Sequence, residues 1–123
     1  MNIFFETLNI IRPIVDKVSS IEDFDAIYLF GSRARGNAQT KSDIDLAINC
    51  PTVNSYRWND ICGIIENAPT LIKIDCVRFD ELSPNSPLRA EIEKDKIVVF
   101  QKRVNNSYDL NLIFESTEKA LIT

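Results

Sequence analysis

The chain has 123 residues, 45% of them hydrophobic and 26% charged, so we expect one globular domain with a modest core rather than a disordered or fibrous chain. The 18 acidic residues outnumber the 14 basic ones, and this net charge of −4 argues against a nucleic-acid partner, because nucleic-acid binders usually carry an excess of positive charge. Histidine is absent, which excludes Ser-His-Asp and Cys-His catalysis and argues against a Cys/His zinc site.

An apolar stripe at helical spacing opens the chain and predicts a helix over residues 4–18. Pro13 lies inside the stripe, so the segment is either one kinked helix or two short ones. The continuous apolar run Ala26–Phe30 predicts a buried strand. Residues 32–42 are polar and rich in small or charged side chains, which indicates a loop with room for one helical turn near Ala34.

The second half of the chain alternates strand patterns with helix patterns. We predict strands over residues 43–49, 71–79 and 97–100, and helices over residues 55–67 and 87–94. The first of these strands alternates apolar and polar side chains, so one of its faces is expected to be polar. Helices between strands predict an α/β fold in which a mixed β-sheet is flanked by helices.

Two aspartates stand at the start of the predicted strand 43–49. Asp43 and Asp45 are two residues apart, so both side chains point to the same face of the sheet. Carboxylates this close repel each other unless a cation lies between them, and hard oxygen ligands suit Mg²⁺ or Mn²⁺ rather than Zn²⁺. A strand with a solvated polar face has the same pattern, so the pair alone does not define a metal site.

The loop before these aspartates has features of a phosphate site. It begins with Gly31 and Ser32, where a glycine permits a tight turn and lets a ligand approach the backbone N–H groups. Ser32 adds a hydroxyl donor, while Arg33, Arg35 and Lys41 supply positive charge. A solvated turn with incidental arginines is the competing interpretation.

A third carboxylate falls within the predicted strand 71–79. Asp75 has apolar residues on both sides, so its charge is costly unless it is paired or binds a metal. An aspartate that faces water at a strand end, or that pairs with an arginine, would have the same neighbours. If the two strands are adjacent, Asp75 lies beside Asp43 and Asp45.

Gly31-Ser32, the ten residues that follow and Asp43-Ile44-Asp45 together match the pattern G-S-x10-D-x-D. In this signature the chain resembles the DNA polymerase beta-like nucleotidyltransferases, and in particular their minimal nucleotidyltransferase branch. The signature covers less than a fifth of the chain, and a looser resemblance extends from the first helix to about Gln101. The resemblance implies the polymerase beta-like nucleotidyltransferase fold.

The resemblance also implies a role for each residue of the signature. The carboxylates implied to hold Mg²⁺ (or Mn²⁺) and to act in catalysis are Asp43, Asp45 and Asp75. Asp75 would help to activate the attacking hydroxyl. The residues implied to bind a nucleoside triphosphate, expected to be ATP, are Gly31, Ser32, Arg33 and Ser42.

A partner protein is part of the same resemblance. Larger relatives carry a second helical domain that binds the acceptor, and we expect this chain to find its acceptor in a separate protein. The resemblance implies that the partner is a helical HEPN-type toxin, to which this chain attaches AMP as the antitoxin. The chain is expected to form a hetero-oligomer with its partner or a homo-oligomer with copies of itself. Two alternatives stay open: a non-catalytic antitoxin that masks a helical partner, and a small-molecule nucleotidyltransferase subunit of the antibiotic-modifying type.

Compartment and domain limits follow from composition. The three cysteines are well separated and form no CxxC pair, which suits a reducing compartment. No secretory leader and no apolar stretch of ~20 residues is visible, so we expect a cytoplasmic protein that does not bind membranes. We expect a nucleotidyltransferase domain over residues 1–101 and a tail over residues 102–123 with room for one more helix.

Overall fold

A mixed four-stranded sheet is the framework of the chain. The computed structural model describes residues 2–102, so the predicted tail lies outside the described residues beyond Lys102. The helices are α1 (Ile3–Ile21), α2 (Ser32–Arg35), α3 (Ser55–Glu66) and α4 (Pro87–Asp95). The strands are β1 (Ala26–Phe30), β2 (Ile44–Asn49), β3 (Ile74–Arg78) and β4 (Ile97–Gln101), and a 3-10 turn follows β3 at Phe79–Glu81.

The order of strands across the sheet is β3-β2-β1-β4. Strand β1 is antiparallel to both of its neighbours, β2 and β4, whereas β2 and β3 are parallel. A parallel pair needs a crossover, and α3 lies in the segment that provides it. The predicted α/β class with a mixed sheet flanked by helices is confirmed.

The first helix is continuous from Ile3 to Ile21 with Pro13 inside it, which decides between the two arrangements predicted for this segment. It begins at Asn2, whose side chain accepts a hydrogen bond from the Phe5 N–H at 2.9 Å. Among the described helices, none combines the length and the apolar character that a membrane span needs. The stripe that predicted α1 is its buried face, so α1 is held by packing on the sheet rather than by propensity alone.

Each face of the sheet carries its own cluster of buried side chains. The larger cluster joins α1 and α3 to the face formed by residues such as Leu29, Leu46 and Ile48. The smaller cluster, on the opposite face, consists of Phe30, Ala47, Phe79 and Ile92. The expected polar face of β2 therefore keeps its polar residues at Asp45 and Asn49 but is covered at Ala47, which is buried in the cluster that contains Ile92 of α4.

Strand β3 is shorter than predicted. It begins at Ile74, which lies opposite Ile44, the first residue of β2. A strand needs a neighbouring strand to pair with. At the start of this ladder the Ile44 N–H donates to the Lys73 carbonyl at 2.9 Å, and β2 does not extend further back to pair with the residues before Lys73. Leu71 precedes the sheet and is fully exposed, so the predicted strand over residues 71–79 is wrong at its start.

Candidate active site

Two of the predicted carboxylates lie side by side on neighbouring strands. In the parallel ladder of β2 and β3, Asp45 is opposite Asp75. Asp43 immediately precedes β2, on the same side as Asp45 by the alternation of side chains. Ala47 shares this face and packs in the cluster that contains Ile92 of α4. The acidic residues therefore stand at one end of the sheet, on the face that α4 partly covers.

Gly31 brings the turn after β1 directly against Asp45. Phe30 is opposite Asp45 in the antiparallel ladder, and Gly31 follows it with φ 75°. A Cβ at Gly31 would overlap the Oδ2 atom of Asp45 and stand 3.2 Å from its Cγ. The backbone angle favours glycine, and any side chain at this position would also force the Asp45 carboxyl to move. The two halves of the sequence signature meet at this contact.

The residues after Gly31 form one turn of helix, as the sequence predicted near Ala34. The N–H groups of Ala34 and Arg35 each donate to the Gly31 carbonyl at 3.0 Å. Gly36 ends the turn in the left-handed conformation with φ 85°. The first amides of a helical turn, here those of Ser32 and Arg33, have no carbonyl acceptor within it. Ser32 itself is half-buried and contributes a hydroxyl beside these amides.

Arg33 departs from the expectation that it offers its charge to a nucleotide. Its side chain is buried, with the residue only 1% exposed. The guanidinium donates to the Ser42 carbonyl at 2.7 and 2.9 Å, to the Thr40 carbonyl at 3.0 Å and to the Thr7 hydroxyl at 2.9 Å. Arg33 therefore ties the loop to α1 from beneath, because its donors are used inside the protein.

Ser42 shapes the end of the same loop. Its hydroxyl oxygen accepts a hydrogen bond from the Gln39 N–H at 2.9 Å, and its own N–H donates to the Gln39 carbonyl at 3.1 Å. With its carbonyl engaged by Arg33, Ser42 fixes the approach to Asp43. Its predicted contact with the nucleotide stays a prediction.

Arg35 contacts α4, an element that the sequence did not connect with the site. Its Nη1 atom lies 2.8 Å from an Asp95 carboxylate oxygen and 3.7 Å from one of Glu91. Glu91 and Asp95 are four residues apart on one helix, so their like charges repel unless a cation lies between them. The predicted helix stopped at residue 94, one short of Asp95, and the four-residue spacing of Glu91 and Asp95 was the sequence signal that could have identified both residues.

Asp45 is the electrostatic centre of the site. Burial raises the pKa of its carboxyl above the ordinary value, and three further negative charges raise it in turn, those of Asp75, Asp43 and Glu91. Arg35 opposes them and lowers the pKa of Asp45. The carboxylate of Asp45 thus lies within the electrostatic influence of three others, and its ionised form is unfavourable unless a further cation is present.

The chemistry of these donors suits a divalent ion, because carboxylate oxygens are the ligands that Mg²⁺ and Mn²⁺ prefer. Within residues 2–102, however, no three His, Cys, Asp or Glu side chains stand close enough to hold one ion together. The backbone nevertheless places Asp45 opposite Asp75 on neighbouring strands, with Asp43 two residues before Asp45.

A sequence comparison identifies the family. The family described as Polymerase beta, Nucleotidyltransferase matches residues 11–105. The chain belongs to this family. Comparison with curated proteins gives no match.

Solved structures share the fold of this nucleotidyltransferase at low sequence identity. A putative nucleotidyltransferase from Sulfolobus solfataricus matches with a TM-score of 0.57 and 22% identity, over 88% of this chain and 90% of the other. A toxin-antitoxin crystallised with AMP-PNP matches with a TM-score of 0.57 and 21% identity, over 92% and 87%. A mutant of the toxin-antitoxin MntA-HpeT matches with a TM-score of 0.56 and 18% identity, over 92% and 87%.

Proposed function

We propose that this nucleotidyltransferase moves AMP from ATP to a partner protein, a helical HEPN-type toxin, and acts as its antitoxin. The observation that carries the proposal is the contact between Gly31 and the Asp45 carboxylate. A turn able to bind phosphates and a set of carboxylates able to bind a divalent ion touch each other there. A metal-bound triphosphate needs both within the length of its phosphate chain.

Each residue of the signature has a part in this proposal. Gly31 and Ser32 bind the β- and γ-phosphates through the amides at the start of the turn and through the Ser32 hydroxyl. The carboxylates that would hold Mg²⁺ or Mn²⁺ are Asp43, Asp45 and Asp75. When bound, the metal would neutralise charge on the phosphates and lower the pKa of the attacking hydroxyl.

The reaction is an in-line displacement at the α-phosphorus of ATP. The acceptor oxygen forms a bond to that phosphorus, the bond from phosphorus to the oxygen of the β-phosphate breaks, and pyrophosphate leaves. The proton of the acceptor hydroxyl passes to the Asp75 carboxylate, which is half-exposed and pairs only with Lys73, 3.4 Å away, among the ion pairs of residues 2–102. Positioning and electrostatics supply most of such a rate enhancement.

The choice of a protein as acceptor draws support from the fold neighbours. Two of the solved structures with this fold are toxin-antitoxin assemblies, and one of them was crystallised with the ATP analogue AMP-PNP. Access for a large acceptor draws support from the position of Asp75, because among residues 2–102 its strand β3 ends the sheet.

The direct test is intact-mass spectrometry of a HEPN-type partner after incubation with this protein, MgCl₂ and ATP. We expect the mass of the partner to rise by whole AMP units and Asp45→Asn to abolish the rise. The matched control is Asp60→Asn, because Asp60 is an exposed acid on α3 that pairs with Arg57 away from the site.

Two results would contradict the proposal in different ways. A partner that stays unmodified with all four nucleoside triphosphates, yet binds wild type and Asp45→Asn equally, would identify an antitoxin that works by masking. Incorporation of label from a triphosphate into an aminoglycoside in place of the partner would identify a small-molecule nucleotidyltransferase.

A further inference from the structure

The helical turn α2 is too short to be stable by itself. It spans Ser32–Arg35, and one isolated turn of helix pays the full cost of nucleation without the gain of propagation. Contacts with other elements must therefore hold it in place. Its position matters, because Gly31, the residue immediately before it, lies against the Asp45 carboxyl.

Two arginines hold the turn from opposite sides. Arg33 and Arg35 are two residues apart, which separates their side chains by roughly 200° around a helix. Arg33 is directed inward, to Thr7 of α1 and to the carbonyls of the loop. Arg35 is directed to α4, where its Nη1 donates to Asp95 at 2.8 Å.

The pair with Asp95 is the firmer of the two contacts that Arg35 makes. The Asp95 side chain is only 7% exposed, so its charge depends on a partner. Glu91 is 3.7 Å from the same nitrogen and its side chain is 49% exposed, which makes that contact the weaker one. Arg35 thus pairs with the acids of α4 and also lowers the pKa of the Asp45 carboxyl.

We propose that Arg35 is a positioning residue whose ion pair with Asp95 fixes the Gly31–Ser32 turn against Asp45 and thereby sets the affinity for the triphosphate. The second half of this statement rests on the proposed function, whereas the first half concerns the free protein. Breaking the pair leaves Arg33 as the one arginine anchor of α2, so the turn loosens on its α4 side.

Hydrogen exchange of the nucleotide-free full chain tests the first half. In Asp95→Asn the amides of Ala34, Arg35 and Gly36 should exchange about tenfold faster, because their hydrogen bonds close the turn. Glu93→Gln is the matched control: it removes an acid of the same helix, which pairs with Lys96 at 2.9 Å, and should leave these amides unchanged. Unchanged exchange in Asp95→Asn, or acceleration spread over the whole chain, overturns the proposal.

A reciprocal exchange of charges provides a second variant. Arg35→Asp should loosen the turn as Asp95→Asn does, and Arg35→Asp combined with Asp95→Arg should restore most of the protection. If Asp95→Asn does not fold, Arg35→Lys, which keeps the charge but loses the planar fork, is measured in the same way and should show a smaller acceleration. Wild-type exchange in Arg35→Asp overturns the proposal.

Steady-state AMP transfer tests the second half. Asp95→Asn should raise the KM for ATP about tenfold and lower kcat much less, since a misplaced turn weakens triphosphate binding. A purely structural role would reduce the active fraction, and hence the apparent kcat, at an unchanged KM. Equal KM values for Asp95→Asn and wild type overturn this half. A wild type that neither binds nor transfers a nucleotide refutes the proposed function, while the exchange result still decides the first half.

Discussion

The contact between Gly31 and Asp45 shows why single residues of the signature depend on each other. Gly31 has a positive φ, and the space beside its Cα is filled by the Asp45 carboxyl. Gly36 also has a positive φ, but it is in the left-handed region with ψ 14°, whereas Gly31 has ψ −159°, and no atom lies within 4 Å of where the Gly36 Cβ would be. Gly31 therefore combines a backbone conformation that is essentially restricted to glycine with a collision, whereas Gly36 carries the milder left-handed strain alone.

Gly31→Ala should be more harmful than Gly36→Ala. Both substitutions place a side chain at positive φ, which costs about 1–2 kcal/mol in the left-handed conformation of Gly36 and about 1–3 kcal/mol in the conformation of Gly31. Gly31→Ala also pushes the Asp45 carboxyl, so we expect a further loss of about 1–3 kcal/mol and loss of AMP transfer. Urea denaturation of both variants measures the difference, and equal destabilisation would contradict the described contact. Gly63→Ala, inside α3 without a close neighbour, should be neutral or stabilising.

Asp45→Asn should stabilise the metal-free protein although it removes activity. The pKa of Asp45 is raised in the folded state, by burial and then by Asp75, Asp43 and Glu91. Its contribution to stability is therefore present below the unfolded pKa of about 3.9 and is lost as the pH rises through the folded value. At neutral pH the ionised group is a cost that asparagine does not carry.

Thermal denaturation in EDTA tests this expectation. Asp45→Asn should melt on the order of 2–5 °C above wild type at pH 7. The advantage should shrink as the pH falls toward the ordinary carboxyl range. A variant that melts below wild type at pH 7 would show that the Asp45 carboxylate is already compensated in the free protein.

Some of these residue-scale features were accessible from the sequence and others were not. The two-residue spacing of Asp43 and Asp45, with the alternation of a strand, was enough to place both on one face. The burial of Arg33 was not accessible, because it depends on Thr7 and α1, far away in the chain. A buried and an exposed arginine look the same in a polar loop.

At the scale of elements, the loop between β1 and β2 is organised by one buried side chain. The Arg33 guanidinium gathers the carbonyls of Thr40 and Ser42 and the hydroxyl of Thr7. Thr7 belongs to α1, and its hydroxyl, which accepts from Arg33, donates in turn to the Ile3 carbonyl of the same helix at 2.7 Å. The loop that begins with the Gly31–Ser32 turn is thus anchored to α1.

Arg33→Ala should destabilise the protein by about 2–4 kcal/mol, since it leaves buried acceptors without donors and opens a cavity. Urea denaturation measures the loss. The matched control is Arg57→Ala: Arg57 is a half-exposed arginine that pairs with Glu22 and Asp60, and we expect its removal to cost much less than that of Arg33. Equal effects of the two substitutions would contradict the structural role of Arg33.

The elements themselves followed the sequence closely, and the differences have a tertiary cause. Pro13 did not divide α1, because a helix that packs its buried face on the sheet tolerates one missing hydrogen bond. Strand β3 starts late because β2, its neighbour in the sheet, starts at Ile44. The second face of β2 is covered because Ala47 packs in one cluster with Ile92 of α4. These residues are far apart in the sequence, so the strand pattern alone does not reveal the contact.

At the scale of the whole molecule, the signature, the element order and the family match agree on one fold. The family matches residues 11–105, so it covers most of the chain, while its signature occupies only the span from Gly31 to Asp45. Asp45 and Asp75 lie opposite each other because α3 connects β2 to β3 as parallel neighbours. The sequence predicts the helix between the two strands, but it does not predict the register in which they pair. The limits of the domain and the role of the tail stay predictions.

Ligand binding should stabilise the molecule as a whole. A triphosphate at 100 times its Kd adds about 2.7 kcal/mol to the free energy of unfolding. For a chain of this length we expect ATP with MgCl₂ to raise the Tm on the order of 5–10 °C, and neither ATP with EDTA nor the Asp45→Asn variant with both ligands to show this rise. Differential scanning fluorimetry measures the shift. An equal shift for Asp45→Asn would place the nucleotide elsewhere on the protein.

The order of the strands has a consequence for how an acceptor arrives. Asp75 belongs to β3, which ends the sheet on that side and has no further strand beside it within residues 2–102. In the proposed reaction the attacked phosphorus would accordingly lie near this edge of the described sheet. A folded protein as bulky as the enzyme could then bring one surface hydroxyl to that edge and receive its nucleotide without first being unfolded or threaded inward.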